Sequence, residues 1–285
     1  MDDPHAILLI TCPDGPGLVA SVAGFVYDHH GNIVHSDQHS DLDIRRFYMR
    51  IEWQLDGFAL DRAEIAGAFG EVARRFDMEW SLHFTDERSR MGILVSRADH
   101  CLWDVLLRHR AGEFHAEVPV VVSNHSDLEP VAAHFGVDFH QVPNSKETRV
   151  ESEAAMVRVL EEHRVDLVVL ARYMQILTGD FVSRYRDRII NVHHSFLPAF
   201  VGARPYHQAH QRGVKIIGAT SHYVTAGLDQ GPIIEQVIRR TSHRDSVRDL
   251  VRKGRDLEKA ALARAVSLHL QHRILVVGNK TVVFD

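Results

Sequence analysis

Along residues 1–85 the apolar positions change from unbroken runs to helical spacing to strict alternation, and each texture marks an element. Ala6–Ile10 is an apolar run that predicts a buried strand, and Thr11–Gly17, with two prolines and two glycines, predicts a turn. Leu18, Val19, Val22, Phe25 and Val26 recur at spacings of three and four, and Gly31-Asn32 stops that helix. Ile33–Asp41 and Ile44–Leu55 predict paired strands across a polar turn, the second with Phe47, Met49, Ile51 and Trp53 alternating. Asp61–Phe76 predicts a second amphipathic helix capped by Asp61, and Met78–Phe84 a closing strand. The order is βαββαβ, the ferredoxin-like plan of a small module.

Thr85–Arg90 is charged and without period, and it separates this module, residues 1–85, from residues 86–285. Beyond it, strands and helices alternate. Met91–Val95, Val118–Val122, Phe139–Val142, Asp166–Ala171 and Arg188–His193 predict strands. Cys101–His109, Leu128–Phe135, Glu147–His163 and Thr178–Tyr185 predict the helices between them. Such alternation predicts a doubly wound, mostly parallel sheet, so the whole chain is of the α/β class. A long helix from Asp245 to about His272 and a hairpin around Gly278-Asn279 close the chain.

Ile189–Pro198 is the stretch where chemistry is expected. It starts apolar and turns polar at Asn191, His193, His194 and Ser195, as a buried strand does where it leaves its sheet. Ligands of open α/β sheets bind outside the carboxyl ends of strands. In an extended backbone Asn191 and His193 share one face, and Val192 and His194 the other.

Composition narrows the function classes. Hydrophobic content of 45% and charged content of 25% describe an ordinary globular protein. A net charge of -5 gives no electrostatic basis for binding nucleic acid. No apolar run approaches the roughly 20 residues that cross a bilayer, so no membrane partner is expected. Cys12 and Cys101 lie far apart without metal-type spacing, which fits free thiols in a reducing cytoplasm. The chain carries 21 histidines, but the pairs His193/His194 and His207/His210 lack the further ligand a zinc site needs, and no metal is expected. Ser96-Arg97-Ala98-Asp99 follows the strand Met91–Val95 where a nucleotide site would place glycines, so nucleotide cofactors are not expected either.

Asp14-Gly15-Pro16-Gly17, the helix after it, and Gly31-Asn32-Ile33 resemble an ACT domain, the fold that many metabolic enzymes use to sense amino acids. The resemblance covers roughly the first 85 residues and implies effector binding by Asp14, Gly15, Gly17 and Asn32. By themselves these residues also fit a plain turn and cap. Subunits pairing through exposed ACT strand edges would give a homo-oligomer, a dimer or tetramer.

Asn191-x-His193-x-Ser195-x-Leu197-Pro198, followed by Leu228-Asp229-x-Gly231-Pro232-Ile233, resembles the folate-dependent formyltransferase family. With His193-His194-Ser195-Phe196-Leu197-Pro198 and a leading ACT-like module, the chain is similar to the formyltetrahydrofolate deformylase branch over nearly its whole length. Three more segments frame the motif: Leu170–Leu177, Phe200–His207, and Gly218–Val224, which leads through a loop to Leu228–Ile234. The resemblance implies hydrolysis of 10-formyltetrahydrofolate to tetrahydrofolate and formate, with the folate as substrate and no further cofactor. It implies Asn191, His193 and Asp229 as catalytic residues and Met174, Gln175, Ile176, Leu177 and Thr225 around the pterin. Ser195 and His222 would support them from behind, and Arg172 would face a folate carboxylate or stay solvated. The chemistry is coherent: an oxyanion forms when water attacks an N-formyl carbon, Asn191 and His193 supply donors, and Asp229 can orient the water, take its proton and hold His193. Taken singly, Asn191 also fits a buried amide, His193 a core histidine and Asp229 a turn residue.

Two departures matter. Relatives commonly carry an acidic residue where Gln230 stands. Family members that transfer the formyl group to an amine hold the acceptor's phosphate on a glycine-containing loop, and Ser96–Asp99 does not match it. Formyl transfer to an amine is the alternative activity.

Overall fold

The computed structural model describes residues 3–145, 147–198 and 205–285, and they form two compact units. The first is the chain up to Arg88 with Gln271–Leu275 and Val282–Asp285; the second is Ser89–Leu270 with Val276–Thr281.

In the first unit β1 (His5–Pro13), α1 (Leu18–Asp28), β2 (Ile33–Asp41), β3 (Arg46–Gln54), α2 (Arg62–Arg75) and β4 (Glu79–Phe84) build an antiparallel sheet in the order β2-β3-β1-β4. This is the expected ferredoxin-like module. Alternation drives one face: Leu8, Ile10 and Cys12 of β1 and Met49, Ile51 and Trp53 of β3 are buried with Leu18, Val22, Phe25, Ile65 and Phe69 from the helices. Glu64 accepts from the Asp61 backbone N–H at 3.0 Å, which starts α2 as a capping pair.

The opposite face carries an unexpected charge. Arg50, 3% exposed, pairs with Glu52 at 2.8 Å and donates to the carbonyls of His272 at 3.0 Å and Gln271 at 3.3 Å. His272 also stacks on His83, with centroids 3.8 Å apart. These contacts explain why part of the last 15 residues belongs to the first unit, where the sequence suggests a boundary at residue 85 and nothing more.

The second unit contains β5 (Ser89–Val95), α3 (His100–Arg110), β6 (Ala116–Ser123), α4 (Glu129–Phe135), β7 (Asp138–Gln141), α5 (Arg149–Glu162), β8 (Leu167–Leu170), α6 (Gly179–Arg184) and β9 (Ile189–His193). α7 (Pro205–Arg212), β10 (Ile216–Tyr223), β11 (Ile233–Arg240) and α8 (Val247–Leu270) follow. A short hairpin, β12 (Ile274–Val277) and β13 (Lys280–Val283), ends the chain. The seven-stranded sheet runs β11-β10-β9-β8-β5-β6-β7, parallel from β9 to β7 and antiparallel at β9-β10 and β10-β11. The mostly parallel sheet is as expected. β10 and β11 are a correction: Gly218–Val224 reads as a motif leading into a loop, yet it lies on a strand.

Among the described residues no helix is long and apolar enough to cross a membrane.

Replacing Arg50 by Ala leaves two backbone carbonyls and Glu52 without their buried partner. We expect about 3 kcal/mol of destabilisation, read by urea unfolding, and faster amide exchange at residues 271–275.

Candidate active site

β5 occupies the point where strand order reverses, with β6 and β7 on one side and β8 and β9 on the other. Crossovers leave such a point in opposite directions and open a crevice beyond the strand ends. Ser96 ties the crevice floor together: its buried hydroxyl donates to Asn124 Oδ1 at 2.7 Å and accepts from the Met174 N–H at 3.0 Å. The cavity here is about 700 Å³ and is lined by residues following β5, β8 and β9, by the β10–β11 turn, and by α7 and α8. Residues 200–204 of the framing segment Phe200–His207 lie outside the described residues.

Asn191 and His193 both line this cavity, as the alternation of β9 requires. His194 does not go to the opposite face, because extended backbone ends at His193; its ring stacks on His193 instead, 5.0 Å away and tilted by 21°. His193 is 7% exposed, and its Nδ1 lies 3.2 Å from Oδ2 of Asp229. Its Nε2 is buried and has no partner among the described residues. An orphaned ring nitrogen is costly unless something polar is meant to reach it.

Antiparallel pairing sets His222 opposite Asn191, and the Asn191 amide donates to His222 Nε2 at 3.2 Å. His222 gives its Nδ1–H to the Tyr223 carbonyl at 2.9 Å, which leaves Nε2 to accept from Asn191. One amide hydrogen of Asn191 is thereby fixed and the other is left for a ligand.

Asp229 reaches the site from the tight β10–β11 turn, at φ 54°, a left-handed conformation few side chains adopt. Gly231 makes that turn possible: a Cβ there would stand 1.7 Å from the Tyr223 carbonyl oxygen, on backbone that cannot step aside. His193, with Nδ1 at 3.2 Å, holds the Asp229 carboxyl well below the usual carboxylate range. Its folded value lies below the unfolded one, so the pair stabilises fully above the ordinary aspartate range and fails only as pH falls through the folded value. Gln230 is exposed, its N–H on the Gly227 carbonyl at 3.3 Å, and it does not line the cavity.

The other expected ligand-facing residues collect on one side. Met174, Gln175, Ile176, Leu177 and Thr225 all line the cavity. Met174, Ile176 and Leu228 are 57%, 52% and 59% exposed, an apolar rim left in water. Glu153 of α5, itself buried, secures the far end of that rim by accepting from the Thr178 N–H at 2.9 Å. Ser195 does not line the cavity; it is 4% exposed, with its carbonyl accepting from Thr220 at 2.9 Å. Thr220 in turn accepts from the Leu197 N–H and from Gln236, both at 3.0 Å, and so shapes the turn after His193.

Residues 89–266 match the Formyl transferase family and residues 6–74 the ACT domain. Formyltetrahydrofolate deformylase of Synechocystis sp. is 56% identical over 284 residues, covering 100% of both chains. This chain belongs to the formyltetrahydrofolate deformylase family. The crystal structure of a formyltetrahydrofolate deformylase from Pseudomonas syringae pv. tomato superposes with a TM-score of 0.97 at 44% identity, over 100% of this chain and 96% of that one. A glycinamide ribonucleotide transformylase 1 from Symbiobacterium toebii matches 70% of this chain and 95% of its own, at a TM-score of 0.65 and 36% identity.

Within this deformylase-family chain the expected effector residues do not come together. Asp14, Gly15 and Gly17 lie in the exposed β1–α1 turn, where Asp14 accepts from Ser40 at 3.1 Å and Gly17 takes φ 87°. Asn32 stands before the other end of β2 and donates to Gln54 at 2.8 Å. The nine residues of β2 separate them by about 30 Å at strand rise.

The second side of the cavity is charged, and sequence reasoning missed it. Glu258 of α8, 2% exposed, accepts from His100 at 2.8 Å and Tyr206 at 2.9 Å and pairs with Arg172 at 3.4 Å. Gly254 makes room, since a Cβ there would meet the Tyr206 hydroxyl at 2.0 Å. Burial works to raise the Glu258 pKa, but the His100 hydrogen bond and the Arg172 charge outweigh it, and the carboxyl stays below its ordinary value. His100, Cys101 and Glu258 come within 4.8 Å of one another, a metal-like grouping. Burial raises the thiol, however, and Arg172 already neutralises the carboxylate, so the set has the chemistry of an ion-pair network. A lone glutamate inside a long amphipathic helix stripe was the available signal.

Gly231→Ala should displace Asp229 from His193. We expect about 2–3 kcal/mol of destabilisation by thermal unfolding and roughly 10²-fold lower turnover, without a change in the first unit's fold.

Proposed function

We infer that this chain hydrolyses 10-formyltetrahydrofolate to tetrahydrofolate and formate. The observation that carries this reading is the buried, unpartnered Nε2 of His193, fixed through Nδ1 by Asp229 and set beside the spare amide hydrogen of Asn191. Two donors at one point suit an oxygen that gains charge during reaction.

In the mechanism we favour, the formyl oxygen takes the Nε2–H of protonated His193 and the Nδ2–H of Asn191. Water adds to the formyl carbon, and the negative charge builds on that oxygen. Asp229 is a poor base at rest, since His193 holds it ionised. Its first role is therefore to sustain the charge of His193. As the new C–O bond forms the water becomes acidic, and its proton passes by way of Asp229 to N10 as the C–N bond breaks. One water is consumed: the amine keeps one of its protons, and the formic acid first formed gives the other to solvent as it leaves as formate. No nucleophile of the protein is needed, and no cofactor enters.

The exposed apolar rim of Met174, Ile176 and Leu228 suits the face of a pterin, with Gln175 and Thr225 for its polar edge. His222 holds Asn191, and Ser195 belongs to the turn that follows His193. A cytoplasmic location fits the two buried free cysteines. An amino-acid effector at Asp14–Gly17 and Asn32 would need residues from more than one subunit, which favours a homo-oligomer.

The test is formate release from 10-formyltetrahydrofolate, without an acceptor and with glycinamide ribonucleotide, for the wild type and Asp229→Asn. We expect acceptor-independent formate and about 10²–10⁴-fold lower kcat in the variant. Turnover only with the amine would make the chain a transferase and overturn the reading.

A further inference from the structure

The charged side of the cavity leads back to the catalytic histidine by an unbroken chain of contacts. Glu258 Oε2 lies 3.4 Å from Nε of Arg172, an ion pair without a hydrogen bond. Arg172, at φ 66°, is a non-glycine residue in left-handed backbone, a conformation that persists only where the surroundings require it. Its Nη1 then stands 2.6 Å from Nδ1 of His194. A guanidinium can only donate, so Nδ1 must accept and the proton of a neutral His194 must sit on Nε2. That ring is the one stacked on His193.

We propose that Arg172, anchored by Glu258, is a positioning residue for the hydrolysis: it fixes His194 as a neutral ring with its proton on Nε2, packed against His193. The proposal rests on the deformylase reading of the site for its meaning, and on geometry for its content.

A count of charges shows why this matters. The groups facing His194 are His193 from β9, Asp229 from the β10–β11 turn, Arg172 after β8, Tyr206 from α7, Glu258 from α8 and His100 from α3. Arg172 and Glu258 cancel, and Asp229 can balance one imidazolium. Only one of the two adjacent histidines can be charged without leaving the site with a net positive charge. Burial first, then Arg172 and His193, pull the His194 pKa down to about 4, which makes His194 the neutral ring of the two. Tyr206 remains a hydroxyl donor to Glu258, its pKa raised by burial and by that carboxylate. His194 thus stands against His193 as a neutral ring and not as a competing cation above about pH 4.

The sign of the pH effect follows. With Arg172 in place His194 stays neutral until pH falls toward 4. Without it burial still lowers the value but the next largest cause is gone, so the ring charges at a higher pH than in the wild type.

The experiment uses the full chain with 15N-labelled histidine, His194 being assigned by its loss in His194→Asn. In the wild type we expect the His194 signals of a neutral ring protonated on Nε2, unchanged from pH 8 to about 5. Arg172→Gln should bring a titration between pH 5 and 7 and mixed tautomers. Its kcat should fall about tenfold at pH 8 and further below pH 6.5, with KM for the folate within about twofold. Arg172→Lys, which still donates to Nδ1, should restore the tautomer and most of kcat. Because Arg172→Gln strands a buried carboxylate, the double variant Arg172→Gln/Glu258→Gln provides a neutral and nearly isosteric second case, expected to show the same mixed His194 tautomers with a titration at lower pH than in Arg172→Gln, since Glu258 raises the His194 value.

A His194 whose tautomer and titration are the same in all these proteins would overturn the proposal, as would a kcat loss that is uniform across pH. Normal His194 behaviour in a protein that releases no formate would instead count against the deformylase reading, so the two failures are distinguishable.

Discussion

One carboxylate against one imidazole sets most of what surrounds it. For Asp229 to sit 3.2 Å from His193, a turn must fold back tightly on the end of β10. That turn needs glycine at position 231, a left-handed aspartate, and a strand register that brings His222 opposite Asn191. None of these features is stable for its own sake. Each constrains the backbone, and the surrounding sheet, with Leu94, Val168 and Ile189 fully buried, supplies the rigidity that holds them in place.

The two sides of the cavity solve different problems. The Met174–Leu177 side leaves apolar side chains in water, which is unfavourable until a flat apolar ring covers them. The Glu258 side does the reverse and buries charges that would prefer water, offsetting that cost with close partners. Between them His193 has one nitrogen committed and one waiting. An apolar clamp and a stiff polar wall together define where a small carbonyl must lie.

Legibility in the sequence followed locality. The ferredoxin-like module and the parallel strands were readable because apolar period reports secondary structure directly, as Phe47, Met49, Ile51 and Trp53 show. Asn191 and His193 were readable because a strand that turns polar at its end is rare without a purpose. β10 and β11 were obscured: Gly218, Thr220 and His222 give one no clean apolar run, and Arg239 and Arg240 end the other in charge. Glu258 was passed over for a different reason. A glutamate in a helix reads as a solvated residue, and only the fold reveals that His100, Arg172 and Tyr206, distant in sequence, converge upon it. The effector residues differ again, since Asp14–Gly17 and Asn32, joined by one motif, stand at opposite ends of β2 within a single chain.

Arg50 and the carbonyl of His272 are separated by 222 positions. During synthesis the N-terminal sheet therefore emerges long before the segment that completes it. Until then the face that carries Ile7, Leu9 and the Arg50–Glu52 pair lacks the segment that caps Arg50. The module at the start of the polypeptide is thus complete only once residue 272 has been made.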